Sequence, residues 1–293
     1  MKGTFDCRSA LFMPATNARA MSKGPDLPAD AIIVDLEDSI KPDQKKLARK
    51  TAVQALSTQN YDYRIRALRI NDVQSPWHVE DILAVAQCHP DVIVLPKVTS
   101  AQDIAIFSES LAAHGVAADV RVWAMLESPS AIVNSLEIAK SSEYCGQLSC
   151  LLVGNNDIAR EAGMPIQSDR TYLVPWLMDV VLAAKSSNLT VLDGVFNDFT
   201  NVAGLTAECE QAKSMGMNGK LVIHPCQLAE VNHAFSPSDV EIAAARAIVE
   251  QFAMPENEDR GAISIDGRMV ERLHLDMATK LLERVRMLAT RES

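Results

Sequence analysis

The chain has 293 residues, of which 48% are hydrophobic and 23% are charged, an ordinary composition for a globular protein. Its 28 basic and 38 acidic side chains give a net charge of −10, which argues against general binding to nucleic acids or to anionic membranes. The N-terminus has no apolar signal core and no apolar run approaches the length of a membrane span, so we expect a cytoplasmic protein.

Eight short apolar runs, each followed by a helix-like segment, organise most of the chain. Strand then helix, eight times over, is typical of a parallel barrel whose strands are buried on both faces. We therefore predict an α/β fold with a TIM (β/α)8 barrel over residues 1–235. The runs span residues 9–15, 31–38, 66–71, 92–97, 122–127, 151–157, 190–196 and 220–225.

Helix signals stand between these runs, where a barrel needs them. Ser100 and Asp103 form a short-acid variant of the capping box. Pro42 suits the first turn of a helix. Pro175 falls inside the helical pattern of residues 168–187 and predicts a kink or a break there.

Basic residues are concentrated in the first fifth of the chain, where the negative net charge still allows a local basic patch. We interpret most of those from Lys41 onward as solvated side chains on the outer face of one helix. They are Arg19, Lys23, Lys41, Lys45, Lys46, Arg49 and Lys50.

The segment after the eighth run has a different pattern. A capping signature at residues 236–239 opens one helix, and a final helix carries an apolar stripe at three- and four-residue steps from Val270 to Leu288. A closed barrel has little need of this segment. We therefore predict a C-terminal helical extension over residues 236–293 that packs on the barrel or on a neighbouring subunit.

Polar side chains just past the strand ends define the expected active site, because that end of a barrel carries the catalytic groups. They are rich in acids and include cations that can bind an anion, which predicts a metal-assisted enzyme acting on a carboxylate. The set is Asp35, Glu37, Asp38, Arg69, Lys97, Glu127, Asp157, Asp193 and His224.

Glu127 and Asp157 are the candidate metal ligands, since we place them at the ends of adjacent strands five and six. Two carboxylates with open positions elsewhere suit Mg²⁺, which keeps several waters or substrate oxygens. Arg69 can bind a carboxylate through two parallel hydrogen bonds. Capping or ion-pairing is the alternative role for each acid, and Arg69 can also neutralise Glu37 or Glu127. For Lys97 we favour holding an acid in place over polarising a carbonyl.

Other common chemistries lack support in the sequence. The six histidines show no H-x-x-H or H-E-x-x-H motif, which disfavours zinc, and a structural role is the simplest interpretation of His224. There is no G-x-G-x-x-G, G-x-x-x-x-G-K or G-x-S-x-G motif. The six cysteines form no C-x-x-C pair, which predicts reduced, mostly buried thiols.

Taken in order, the strand-end motifs resemble those of the citrate lyase β-subunit-like family, which includes malyl-CoA and citramalyl-CoA lyases within the wider aldolase/citrate lyase superfamily. The resemblance runs from about residue 8 to residue 285. The motifs are R-S-A-L-F-M-P-A, D-L-E-D-S-I, L-R-I-N, L-P-K, M-L-E-S, G-N-N-D-I, D-G-V-F-N-D and G-K-L-V-I-H-P.

The resemblance implies Mg²⁺-dependent cleavage or formation of a carbon–carbon bond next to a thioester. It implies Glu127 and Asp157 as metal ligands, Arg69 as the group that holds the keto-acid carboxylate, and Glu37 as an acid that orients Arg69 or metal waters. Phe12, Arg19 and Lys23 correspond to positions that grip coenzyme A in the family. The resemblance also implies a homotrimer or hexamer.

A second acid is implied by the family segment G-x-M-[IV]-D-x-P, which supplies a catalytic aspartate across a subunit contact. The matching stretch here is G-R-M-V-E-R-L, so Glu271 takes the place of the aspartate and the proline is absent. The extra methylene moves the acid by roughly 1 Å, and a misplacement of that order can cost about a hundredfold in rate.

The resulting hypothesis is a lyase that releases acetyl-CoA and a small 2-keto acid, pyruvate or glyoxylate, from a 3-hydroxyacyl-CoA such as citramalyl-CoA or malyl-CoA. The alternatives are a β-subunit of a citrate lyase complex, a malyl-CoA thioesterase, and a non-catalytic protein that binds coenzyme A esters.

Overall fold

Eight parallel strands close into a barrel in which each strand pairs with the next one along the chain and β8 returns to β1. The computed structural model describes residues 6–257 and 259–291. The predicted barrel is confirmed. Its strands are β1 Ser9–Pro14, β2 Ala31–Asp35, β3 Ile65–Arg69, β4 Val92–Leu95, β5 Arg121–Leu126, β6 Leu148–Val153, β7 Thr190–Asp193 and β8 Gly219–Val222.

Helices follow the strands as the repeating pattern predicts. Those of the barrel unit are α1 Ala18–Lys23, α2 Lys45–Thr58, α3 His78–Cys88, α4 Ala101–Ala113, α5 Pro129–Val133, α6 Ser135–Lys140, α7 Asn155–Ala162, α8 Val174–Ser186, α9 Val202–Ser214 and α10 Leu228–Phe235. Within the residues that the structure describes, none of the helices is long and apolar enough to cross a membrane.

Most strand residues are apolar because both faces of each strand are buried, although Arg69 of β3 and Lys220 of β8 are exceptions. Alternate residues such as Ile33, Val94 and Trp123 fill the barrel interior. Their neighbours in sequence, such as Ile32 and Ile93, pack outward against the helices in a larger cluster. The two clusters together fix the strand ends, and therefore the residues that follow them, in space.

Local signals predict one helix in full and another in part. Ser100 caps α4 in a box completed by Asp103, as predicted. The helical pattern of residues 168–187 is broken before Pro175, since α8 begins only at Val174. The proline therefore lies in the first turn, where its missing N–H has no helical partner to lose, and it kinks no helix.

The chain forms two compact units, Met1–Phe235 and Ser236–Ser293. The second unit contains α11 Asp239–Phe252, β9 Ala262–Ile265, β10 Arg268–Glu271 and α12 Arg272–Ala289. The predicted C-terminal helices are present as α11 and α12, and between them β9 and β10 form an antiparallel hairpin that the sequence analysis did not predict. Asp266 and Gly267 make its turn with φ of 49° and 75°, as Asp-Gly turns of hairpins do.

Candidate active site

A cavity of about 440 Å³ opens at the carboxyl end of the barrel strands. This is the end at which barrel enzymes bind their substrates. Its wall combines apolar side chains with a few converging polar groups. The lining residues are Phe12, Pro14, Asp35, Asp38, Ser39, Arg69, Met125, Val153, Gly154, Asn155, Asn156, Asp157, Val195, Leu221 and Ile223.

Arg69, the last residue of β3, is the main cation of the cavity wall. Its Nε and Nη2 donate to the two oxygens of Asp35 at 2.6 and 2.7 Å, and Phe12 lies under the guanidinium at 4.7 Å from the ring centre. Burial works to lower the pKa of Arg69, but the attraction of the Asp35 carboxylate outweighs burial, and the pKa of Arg69 is raised. Two of the five N–H groups donate to Asp35, and Nη1 contacts Met125 Sδ at 3.9 Å and Glu37 at 3.1 Å, so the fork retains little more than one donor for a ligand carboxylate.

Asp35, at the end of β2, is the group that orients Arg69. Burial works to raise the pKa of Asp35, yet the Arg69 guanidinium and the hydroxyl of Ser39 together hold that pKa below its usual value. The backbone N–H of Glu37 also donates to Asp35, at 2.9 Å. These contacts favour the ionised form of Asp35 beside Arg69. The sequence alone did not separate this role from those of its acidic neighbours.

Glu37 lies between Arg69 and Lys97, and the backbone of Lys97 in turn binds Glu127, a candidate metal ligand. Oε2 of Glu37 lies 3.1 Å from Arg69 Nη1 and its Oε1 lies 2.9 Å from Lys97 Nζ. Both oxygens are buried, and neither accepts a hydrogen bond of regular geometry from a described residue. Burial raises the pKa of Glu37 above its usual value despite these two cations. The carboxylate thus retains hydrogen-bonding capacity for a further donor, such as a metal-bound water.

Lys45, at the start of α2, binds the backbone carbonyls of Leu36 and Glu37 and so fixes the backbone that carries the Glu37 side chain. Its Nζ donates to the carbonyls of Leu36 at 2.7 Å and Glu37 at 2.9 Å, and to Asn71 Oδ1 at 2.7 Å. These bonds use all three donors of a buried ammonium group. The interpretation of the lysines from Lys41 onward as solvated was therefore wrong for Lys45. Nothing in its local sequence distinguishes it from the exposed Lys46.

Glu127 directly follows β5 and is buried against Gly154, which lines the cavity. The backbone N–H of Lys97 donates to its Oε1 at 2.6 Å. Burial, with added repulsion from Glu37 and Asp157, raises the pKa of Glu127 to about 8. A carboxylate held in such a place needs a nearby positive charge to remain ionised at neutral pH.

The sequence analysis placed Asp157 at the end of β6. In the structure Asp157 lies instead in the first turn of α7. Strand β6 stops at Val153, and Gly154 turns the chain directly into the helix. Asp157 nevertheless lines the cavity and is close enough to Glu127 to raise its pKa. Its other contact is an ion pair with Arg160, one helical turn later.

Gly154 is required by the close packing of the turn against Glu127. A Cβ atom at this position would lie 2.2 Å from the Cβ of Glu127. We expect Gly154→Ala to displace Glu127 and to cost about 1–3 kcal/mol in the free energy of unfolding, as overpacking does. Chemical denaturation measures this cost. Gly261→Ala is the control, because nothing lies within 4 Å of the place its methyl group would occupy, and an equal cost in both variants would contradict the account.

The donor set of the cavity suits Mg²⁺, a hard cation that takes oxygen ligands and keeps several waters. Glu127 and Asp157 supply carboxylate oxygens, and the buried oxygens of Glu37 can accept hydrogen bonds from coordinated water. Among the described residues, no three His, Cys, Asp or Glu side chains gather into a complete metal site. An ion here would therefore rely on water or substrate oxygens for most of its coordination.

The remaining candidates lie in different places. Lys97 contacts Glu37 and Glu127 beside the cavity, whereas Arg19 and Lys23 are exposed on α1 and are not part of the lining. Glu271 ends β10 in the second unit, where its backbone N–H donates to His274 Nδ1 at 3.0 Å.

The sequence analysis expected Asp193 and His224 to face the active site, but neither residue lines the cavity. Asp193 is fully buried in ion pairs with Arg170 and Lys220, on the side of the barrel wall that carries Glu208 of α9. His224 is exposed beyond the end of β8. A residue that follows a strand can point either way, because successive side chains alternate between the two faces.

Comparison with known proteins gives consistent matches over most of the chain. The family described as HpcH/HpaI aldolase/citrate lyase matches residues 8–225. The (3S)-malyl-CoA thioesterase of Cereibacter sphaeroides is 38% identical over 96% of this chain and 95% of that protein. Citrate lyase subunit beta of Escherichia coli is 31% identical over 97% and 95%, respectively. The structure of CitE from Mycobacterium tuberculosis in complex with magnesium, acetoacetate and coenzyme A has a TM-score of 0.76 at 26% identity, covering 97% of this chain and 99% of that chain.

Proposed function

Since this chain belongs to the HpcH/HpaI aldolase/citrate lyase family, we propose that it is a Mg²⁺-dependent lyase that cleaves a 3-hydroxyacyl-CoA into acetyl-CoA and a 2-keto acid. The observation that carries the proposal is Arg69, which Asp35 fixes at the wall of a cavity that Asp157 also lines. A fixed guanidinium beside oxygen ligands suits a small anionic substrate that also binds a metal.

Glu127 and Asp157 would hold the Mg²⁺ ion in this cavity, with Glu37 accepting from its waters. Bound there, the ion would supply Lewis-acid chemistry to the hydroxyl and carboxylate oxygens of the substrate. The relative solved with magnesium, acetoacetate and coenzyme A supports this choice of metal and of ligand class.

Arg69 would bind the substrate carboxylate with an N–H donor that its contacts within the protein leave over and so fix its orientation. Phe12, Arg19 and Lys23 would contact the coenzyme A portion, and Lys97 would keep Glu37 in place. Glu271, supplied by a neighbouring subunit of a trimer or hexamer, would protonate the carbon released by bond cleavage. In the reverse direction the same carboxylate would remove that proton.

The affinity of the protein for Mg²⁺ is expected to rise with pH between pH 6 and pH 8. Burial raises the pKa of Glu127 to about 8, and a protonated carboxyl must lose its proton before it binds a metal. The apparent affinity should therefore weaken by up to about tenfold for each pH unit below 8. Calorimetric titration with MgCl₂ at three pH values measures the trend, and a pH-independent affinity would speak against Glu127 as a ligand.

A thioesterase is the second candidate, favoured by the 38% identity to (3S)-malyl-CoA thioesterase. Both activities are tested by incubating the full-length protein and Mg²⁺ with malyl-, citramalyl- and citryl-CoA and identifying the products by mass spectrometry. A keto acid with acetyl-CoA, stopped by EDTA, supports the lyase and names its substrate. Free coenzyme A with an intact hydroxy acid supports the thioesterase.

The Glu271→Gln variant separates an enzyme from a protein that only binds coenzyme A esters. A lyase should lose turnover in this variant and keep its affinity for the ester, because the amide cannot transfer the proton. Binding without turnover of any ester, in both the wild type and the variant, would overturn the lyase and the thioesterase together.

A further inference from the structure

The segment after β8 carries a pair of chemically reactive side chains that the proposed function does not use. His224 and Cys226 are both exposed, and Ile223, the residue before them, lines the cavity. Gln227 fixes the segment: its Oε1 accepts from the backbone N–H groups of Ile223 and His224 at 3.2 Å, and its Nε2 donates to the Phe196 carbonyl at 2.8 Å. The pair is therefore held in place at the rim of the barrel mouth.

The thiol and the imidazole are in direct contact. Nδ1 of His224 lies 2.9 Å from Sγ of Cys226, and the same nitrogen accepts from the Cys226 backbone N–H at 3.3 Å. The thiol also donates to the Phe199 carbonyl at 3.5 Å. The imidazole stacks on Phe199 with a ring-centre distance of 4.7 Å and an interplanar angle of 15°, which fixes the ring plane. A base within hydrogen-bonding distance of an exposed thiol is the arrangement that activates cysteine as a nucleophile.

The other five cysteines lack this combination. Cys145 is half-buried, and the remaining four are buried. Burial raises the pKa of Cys88 and of Cys209 to about 12 and raises that of Cys150 well above its usual value. Thiols in such places stay protonated and out of reach of reagents in solution. They provide internal references for the reactivity of Cys226.

We propose that Cys226, activated by His224, is a modification site that takes up a small-molecule thiol by exchange with its disulfide. His224 accepts the thiol proton, and the resulting thiolate attacks one sulfur of the disulfide. A bond forms between Cys226 Sγ and that sulfur as the original S–S bond breaks, and the other half leaves as a thiolate that takes up a proton. The adduct places the small thiol beside Ile223 at the cavity rim, and a reducing thiol reverses it.

The test treats the reduced full-length protein at pH 7 with glutathione disulfide or with coenzyme A disulfide and maps the adducts by peptide mass spectrometry. We expect one adduct, on Cys226, that is lost in Cys226→Ser and unchanged in the control Cys145→Ser. An adduct spread over several cysteines would overturn the proposal. If Cys226 reacts faster with coenzyme A disulfide than with glutathione disulfide, coenzyme A is the preferred modifying thiol. Equal rates with the two disulfides would mean that the site accepts small disulfides in general.

The role of His224 is tested by His224→Asn, which keeps a side-chain acceptor for the Cys226 N–H and removes the base. The substitution removes the group that takes up the thiol proton, so we expect the reaction to slow by about tenfold. An unchanged rate would overturn the role of the imidazole. If the variant fails to fold, a measurement on the wild type alone still tests the reactivity of Cys226. Cys226 should react with iodoacetamide well ahead of Cys145, and equal rates would overturn the proposal.

Discussion

Substituting Glu127 by glutamine is expected to lower kcat/KM of Mg²⁺-dependent turnover by about 10²–10³-fold, the loss typical when one group that stabilises transition-state charge is removed. The amide is a poor ligand for Mg²⁺. The fold should survive, because the carboxyl is buried and its pKa is raised to about 8, so a neutral side chain is tolerated at this position. Steady-state kinetics over a series of Mg²⁺ concentrations measures the loss.

Glu161→Gln is the matched control for this experiment, since Glu161 is exposed on α7, one helical turn beyond Asp157. It should keep the activity and the Mg²⁺ dependence of the wild type. If Glu127→Gln retained full turnover with an unchanged requirement for Mg²⁺, the metal site would have to lie elsewhere.

Replacing Arg170 by methionine is expected to destabilise the protein by about 3–5 kcal/mol, the cost of breaking a buried ion pair by removing one partner. Both oxygens of Asp193 accept from Arg170 Nη1, at 2.8 and 2.9 Å. Lys220 contacts Asp193 at 2.7 Å and Glu208 at 2.5 Å, so two cations balance two anions. Without Arg170 one buried negative charge loses its partner.

The midpoint of chemical denaturation measures this effect. Glu80→Gln is the control, because Glu80 pairs with Arg49 but its side chain is 59% exposed, and such pairs contribute at most about 1 kcal/mol. Arg170→Met combined with Asp193→Asn should recover part of the loss, since the double change removes both charges. Equal stability of Arg170→Met and the wild type would contradict the importance of the buried network.

The barrel could be predicted from the sequence because its strands are buried on both faces and therefore appear as apolar runs such as 31–34 and 92–95. The position of the site followed from the same pattern, because polar residues collect where those runs end. The sequence placed Arg69 and Glu127 at these strand ends, and the structure has them there. Their partners were not evident from the sequence.

The partners depend on which way each side chain points, and that is decided by packing between distant segments. Asp35 binds Arg69 across 34 positions of sequence, and Lys45 reaches the Leu36 carbonyl from the next helix. Asp193 lies at the end of its strand much as Glu127 does, yet it joins a buried network with Arg170 and Lys220. The β9–β10 hairpin was missed although its Asp266–Gly267 turn is a recognisable signal.

The central claim is that Glu127 and Asp157 form a metal centre at which Arg69 binds a carboxylate. The most direct test is a crystal structure of the protein with Mn²⁺ and pyruvate, in which anomalous scattering locates the metal. We predict a peak between the carboxylates of Glu127 and Asp157, with the pyruvate carboxylate on Arg69. A metal peak away from both acids, or pyruvate bound without contact to Arg69, would contradict the claim.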